Sequence, residues 1–207
     1  MVREERGILF VVSAPSGAGK TTLVRNVISQ VPGVSLSVSC TTRTPRPSEH
    51  EGVDYFFITP EEFNAMERAG KFIEWAKVHG DLYGTPRANL EKLRHGEDLV
   101  LEIDTQGAKR ISEAFDDGVF IFILPPSLEV LKGRLKDRGG DSEGAIQARL
   151  HNAQKELDQK VWYDYIVVNE KIEEATRALA SIILAERCKT TRLLGEKIGG
   201  TYGADNG

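Results

Sequence analysis

Near the start of the chain, the apolar run Gly7–Ser13 (GILFVVS) gives way to Ala14-Pro-Ser-Gly-Ala-Gly-Lys20-Thr21 and then to a helical pattern from Lys20 to Gln30. A buried strand passing through a Gly-rich turn into a helix is the setting a phosphate-binding loop requires. The backbone N–H groups of such a turn point inward, and the helix N-terminus adds its positive end. On this reading Lys20 reaches the β- and γ-phosphates of a nucleoside triphosphate, and the Thr21 hydroxyl ligates Mg2+. The general pattern opens with Gly where this chain has Ala14. A methyl group is tolerable there if φ is negative, and Gly17, Gly19 and Lys20 are retained. A purely structural turn is the alternative, and the flanking strand and helix disfavour it.

The rest of the chain keeps the same rhythm. Leu99–Ile103 (LVLEI), Val119–Leu124 (VFIFIL) and Tyr165–Val168 (YIVV) read as further core strands, and Ile172 to Cys188 as a last long helix with Ile172, Ala175, Leu179 and Ile182 on one face. Alternating strands and helices favour an α/β fold built on a largely parallel sheet. Two stretches break the alternation. Between Ser37 and Thr85 come short strands (Ser37–Thr41, Val53–Ile58) and a helix announced by Thr59 as N-cap, Pro60 at its first position and Glu62 closing a capping box. Between Ser127 and Lys160 the sequence is charged and helical, broken at Gly139–Gly140; Ser127 can cap a first half carrying Leu128, Leu131 and Leu135, and Ile146, Leu150 and Leu157 line the second. Both read as insertions on one core. No repeat of solenoid period is present, and the glycine-rich residues 195–207 read as a disordered tail.

Charge and length exclude several classes. The 207 residues carry 27 Lys and Arg against 31 Asp and Glu, a net charge of −4. That balance gives no nucleic-acid partner its basic face. The longest apolar runs, Ile8–Val12 and Val119–Leu124, are far short of the ~20 residues of a membrane span. The charged start (Arg3, Glu4, Glu5, Arg6) is no leader peptide, and two cysteines, Cys40 and Cys188, fit a reducing, cytoplasmic setting. Nothing in the pattern sets an oligomeric state.

Basic side chains collect in the two insertions. Arg43 and Arg46 lie in Ser39-Cys-Thr-Thr-Arg43-Thr-Pro-Arg46, and Lys132, Arg134, Lys136, Arg138 and Arg149 in the second stretch. Taken alone, Arg43 and Arg46 read equally as a solvated loop. On an acidic chain, two such clusters suggest that each insertion closes over negative charge, since Arg is suited to forked contacts with phosphate oxygens. Transfer of a phosphoryl group to another phosphate needs no general base, because the attacking oxygen is already anionic. Four scattered histidines (His50, His79, His95, His151) offer no histidine-based catalysis.

Together the ordered motifs SAPSGAGKTT, SVSCTTRTPRP, EGVDYFF, FIEWAKVHGDLYGTP and LEIDTQGAK, with the arginines of the second insertion, resemble guanylate kinase from Ile8 through Leu193. The resemblance implies a phosphate-loop core (1–37, 90–126 and 161–194) with a GMP-binding insertion at 38–89 and a helical lid at 127–160. It implies the reaction ATP + GMP = ADP + GDP with Mg2+, dGMP being a further candidate acceptor. Residue by residue it assigns Ala14, Pro15, Ser16, Gly17, Ala18, Gly19, Lys20, Thr21, Thr22 and Asn169 to ATP, the last near the adenine. To GMP it assigns Ser39, Arg43, Arg46, Tyr55, Glu74, Tyr83, Thr85 and Asp104. Arg43, Arg46, Tyr55 and Tyr83 would hold the acceptor phosphate, while Glu74, Asp104 and Ser39 would read the guanine, whose N1 and N2 donors suit acceptor-only carboxylates. Lys20, Arg46, Arg138 and Arg149 would act in catalysis, with Arg134 as a possible third lid arginine.

Several of these positions have plainer readings. Thr85 before Pro86 reads as an N-cap, Trp75 and the alternating Tyr55–Ile58 as packing, Asp104 as a turn or helix cap, and Glu102 as a supporting residue rather than a ligand. A different class of function, a guanylate-kinase-like interaction module without catalysis, typically lacks a working phosphate loop. Here that loop is intact.

Overall fold

The computed structural model describes residues 6–78, 80–137 and 143–193. Its centre is a parallel sheet of β1 (Leu9–Ser13), β2 (Val34–Leu36), β7 (Asp98–Glu102), β8 (Val119–Leu124) and β9 (Tyr165–Val168), in the order β2-β7-β1-β8-β9. All four pairings are parallel, with Phe10 opposite Val100 on one side and Val119 on the other. The strands have helices on both faces, which is why they read as continuous apolar runs. Alternate residues of β1 serve opposite cores. Phe10 and Val12 join Ile121, Ile123 and Val100 under α1 (Lys20–Gln30) and α7 (Ile172–Arg187), which contribute Leu23, Val24, Val27, Leu179 and Ile183. Leu9 and Val11 join Leu99, Leu101, Phe120 and Phe122 under α4 (Thr105–Ala114), which contributes Ala108 and Ile111.

A second sheet, in the order β4-β3-β6-β5, comprises β3 (Ser39–Thr41), β4 (Tyr55–Phe57), β5 (Phe72–Val78) and β6 (Asp81–Pro86). Only its β3–β4 pair is parallel. It rests on α2 (Pro60–Arg68), where Phe63 stacks on Phe72 at 4.5 Å and packs with Cys40. The capping box is formed as expected: Glu62 N–H donates to the Thr59 hydroxyl at 3.2 Å and Thr59 N–H to the Glu62 carboxylate at 2.8 Å. Two more helices, α5 (Leu128–Asp137) and α6 (Glu143–Asp158), pack through Leu131, Leu135, Leu150 and Ala153. Ser127 caps the first of them through Val130 N–H, but Leu128 is exposed rather than part of the seam.

The strand and helix expectations hold with shifts of one or two residues: α1, β8 and β9 coincide with their sequence signals, whereas β3 and β4 are shorter. Three features escaped the sequence reading. β2 is only three residues long, the β5–β6 hairpin has Glu74, Gly84 and Thr85 at inward positions, and α4 is led in by polar residues. Phe56 and Trp75 are corrections, being 39% and 36% exposed rather than packed away. The chain after Pro86 forms a short 3-10 turn (Arg87–Leu90) and α3 (Glu91–Arg94), with no side-chain cap from Thr85. Residues 194–207, His79 and the Gly139–Gly140 break lie outside the described residues, as does the Ile146 side chain.

Phe122 is fully buried and meets Tyr163 edge-on at 5.1 Å. Phe122→Ala is expected to lower the unfolding free energy by about 3–5 kcal/mol. Thr59→Ala, which removes one cap, is expected to cost only ~1 kcal/mol. Denaturant titration of both variants checks the contrast.

Candidate active site

All the site elements meet at the carboxyl ends of the parallel strands. β1 is fully buried at the middle of the sheet, so the turn leaving it is fixed at its start by β1 and at its end by α1. Within that turn Gly17 and Gly19 have φ of 93° and 89°, a region closed to most side chains. Gly19 is constrained twice, since a Cβ there would lie 2.5 Å from Asn169 Nδ2. That amide donates to the Ala18 carbonyl at 2.7 Å, and Arg134 reaches the same carbonyl at 3.3 Å and the Asn169 carbonyl at 3.0 Å. The loop is thus tied from behind by a buried asparagine and an arginine of α5. Asn169, expected near an adenine, has its amide committed to the loop. Arg134, expected to face phosphate, also binds backbone there.

Ala14 through Thr21 line a cleft of about 240 Å³, together with Ser39, Arg46, Tyr55, Glu74, Tyr83, Glu102, Asp104 and Glu156. Lys20 Nζ donates to the Ile103 carbonyl at 2.6 Å, and the Thr21 hydroxyl donates to the Glu102 carboxylate. The start of α1 is therefore held against the end of β7, and Glu102 has a defined partner. Thr22 is exposed and outside the lining. Arg149 lines an adjoining cleft with Lys77, Lys109, Arg110 and Lys155, and Arg138 lies outside the described residues.

The second sheet supplies the opposite wall. Arg43 donates to both Glu49 carboxylate oxygens at 2.8 and 2.9 Å and through Nε to the Tyr83 hydroxyl at 3.2 Å, and it lies 5.6 Å from the Tyr55 ring centre. Burial works against the Arg43 charge, but the bonds to Glu49 and Tyr83 outweigh it and raise its pKa. Burial likewise opposes the Glu49 charge, and the Arg43 and Arg46 contacts overcome it to lower that pKa. Glu49 also accepts from the Arg46 N–H at 2.8 Å, leaving the Arg46 side chain exposed toward the cleft. Burial, with Glu102 nearby, pushes the Tyr55 hydroxyl up to about 12, so it acts as a neutral donor.

Deeper in, Glu74 and Asp104 converge. Glu74 is buried on β5 and accepts from the Thr85 hydroxyl at 2.6 Å, a bond that replaces the N-cap role read for Thr85. Burial raises its pKa, and Asp104 adds to this against the lowering effect of Thr85. Asp104 caps α4 through Gly107 N–H at 2.8 Å, so its cap reading and its place in the cleft coexist. Ser39 is buried and lines the same cleft. Sequence reasoning missed Glu49 and Glu156, both in charged stretches that resemble solvated surface.

Glu156 on α6 lines the cleft together with Ser16 and Lys20 of the loop. Burial chiefly, and then Asp104, push its carboxyl up to about 7, despite Lys20 and the Ser16 N–H. The folded state therefore holds a proton that the unfolded chain has lost, over the window from about 4.5 to about 7. Stability from this residue is full below that window and falls as pH rises through it. Glu156→Gln removes the titration, so its thermal midpoint is expected to gain on the parent's between about pH 5 and pH 8. Parallel melting curves across that range check the sign.

A phosphate loop on a parallel sheet, facing a wall of arginine and tyrosine with paired carboxylates behind, is the arrangement of a nucleotide-binding kinase. The guanylate kinase family profile matches residues 6–186. The guanylate kinase of Geobacter sulfurreducens is 50% identical over 192 residues, 92% of this chain and 95% of that protein. That of Thermotoga maritima is 47% identical over 188 residues, 90% of this chain and 91% of that one. The crystal structure of guanylate kinase from Anaplasma phagocytophilum superposes with a TM-score of 0.80 at 36% identity, covering 98% of this chain and 99% of that chain. This chain belongs to the guanylate kinase family and is a phosphotransferase. Among the described residues no helix is long and apolar enough to cross a membrane.

Proposed function

We propose that this cleft transfers the γ-phosphoryl group of Mg-ATP to the phosphate of GMP, with the donor at Ala14–Thr21 and the acceptor between Ser39, Arg43, Arg46, Tyr55, Glu74, Tyr83, Thr85 and Asp104. The observation that carries it is the convergence, in one cleft, of the loop and Lys20 with Arg46, Tyr55 and Tyr83 on one wall and Glu74 with Asp104 at its depth. Arg43, oriented by Glu49, and Arg46 neutralise the acceptor phosphate, whose own oxygen attacks. Lys20 exchanges the Ile103 carbonyl for the β- and γ-oxygens, a stronger charge-assisted bond. Glu74 and Asp104 accept from the guanine N1 and N2 donors; adenine, with an acceptor at N1, would face a carboxylate unfavourably.

Mg2+ fits the donor chemistry: the Thr21 hydroxyl is a hard oxygen ligand at the loop's end, with the Glu102 carboxylate beside it in support. Among the described residues no group of three or more Asp, Glu, His or Cys is arranged to hold a metal. The ion would therefore be held mainly by the nucleotide phosphates, with Thr21 as its protein ligand. It would supply charge neutralisation on the transferred group. The second insertion, with Arg149 and Arg138, would close as a lid over both substrates and exclude water.

The test is ADP release from Mg-ATP with GMP, AMP, CMP or UMP and with no acceptor. Turnover with GMP alone is expected. Release without an acceptor would make the protein an ATPase, and silence throughout would favour a non-catalytic binding module. Lys20→Ala is expected to lower kcat by ~1000-fold while GMP still binds. Glu74→Gln, which can place a donor where an acceptor is needed, is expected to raise the KM for GMP roughly tenfold or more.

A further inference from the structure

α4 carries a glycine that its backbone does not need. Gly107 sits in the first turn of a ten-residue helix, and its φ lies outside the left-handed region. Glycine is among the poorest residues for a helix interior, and alanine would be preferred there on backbone grounds. The contrast with Gly133 in α5 is direct: a Cβ built at Gly133 meets nothing within 4 Å. A Cβ built at Gly107 would lie 2.8 Å from Glu74 Oε2, 3.2 Å from Glu74 Cδ and 3.2 Å from Asp104 Oδ1. Its nearest neighbours are thus the two acidic side chains of the cleft and no part of the apolar core.

We propose that Gly107 is a specificity-determining position of the acceptor site: the missing side chain lets the Glu74 and Asp104 carboxylates converge on one point and meet the donor edge of a guanine base together. The inference rests on the guanine reading of those two residues. Each carboxylate already has one oxygen held. The Thr85 hydroxyl donates to Glu74 Oε1 at 2.6 Å, and the Gly107 N–H itself donates to Asp104 Oδ1 at 2.8 Å. A methyl group at 107 meets the far end of a flexible side chain, so the fold accommodates it by turning Glu74 aside. Turning Glu74 aside breaks the Thr85 bond and removes the acceptor from where the base presents N–H groups. The substitution is mild for the helix and severe for the site, and this opposition makes the role measurable.

Gly107→Ala is expected to raise the KM for GMP by roughly tenfold or more while the KM for ATP stays within about twofold of the parent. Its thermal midpoint is expected to fall by only a few degrees, because the better helix propensity of alanine offsets part of the lost Thr85 bond. Glu74→Gln is measured beside it, with the double variant. If Gly107 acts through Glu74, the double variant raises the KM for GMP no more than Glu74→Gln alone, within about twofold. Multiplication of the two single effects would place Gly107's action elsewhere and overturn the proposal. An unchanged KM for GMP in Gly107→Ala, with Glu74→Gln impaired, would overturn it while leaving the guanine reading intact. An unchanged KM in Glu74→Gln itself would overturn the guanine reading first and the proposal with it. A midpoint lowered by about ten degrees or more, or both KM values raised together, would assign Gly107 to folding.

Discussion

The hydrogen bond from Asn169 to the Ala18 carbonyl is small in isolation, but the phosphate-loop half of the cleft is organised around it. A turn that presents its N–H groups to an anion must send its carbonyls elsewhere, and a buried carbonyl without a partner is costly. Asn169 and Arg134 supply that partner from the back of the loop. Gly19 is the complementary requirement, since any side chain there would occupy the space of the amide. The loop's shape thus depends on residues 151 and 116 positions away in the chain, Asn169 being brought beneath it by the β8–β9 pairing and Arg134 by α5.

The half facing the loop is governed by charge rather than backbone geometry. Its arginines and carboxylates are arranged before any substrate arrives. Glu49 orients Arg43 and Arg46, and Thr85 and the N-terminus of α4 fix Glu74 and Asp104. Buried carboxylates of this kind oppose stability, as the raised pKa values of Glu74 and Glu156 record. A chain that carries them without a functional return would be expected to replace them with apolar residues of like volume. Preorganised charge in a partly dry cleft is the common device for phosphoryl transfer, in which positioning and neutralisation supply most of the catalysis.

Much of this was legible from the residues. The phosphate loop declared itself through Gly17, Gly19, Lys20 and Thr21 between an apolar run and a helix, and the cap of α2 through Thr59, Pro60 and Glu62. The central strands were visible because both faces are covered, which makes them apolar throughout. The β5–β6 hairpin was not visible, because Glu74 and Thr85 stand where an alternating strand would carry apolar residues. The feature that makes the hairpin functional is the one that hides its pattern. Glu49 and Glu156 were hidden for a related reason: a carboxylate in a charged stretch looks the same whether it faces water or an arginine.

The amino-acid sequence by itself determined the class of fold, the phosphate loop and, through its ordered motifs, the family. These depend on local periodicity and on short motifs whose chemistry is carried by neighbours in the chain. The tertiary structure decided which polar groups meet: Asn169 and Arg134 on Ala18, Lys20 on the end of β7, and Glu74 on Thr85 and against Gly107. Such pairings join positions from 11 to 151 residues apart. They follow from strand order and register, which place distant segments at one edge of a sheet, and no local pattern encodes that placement.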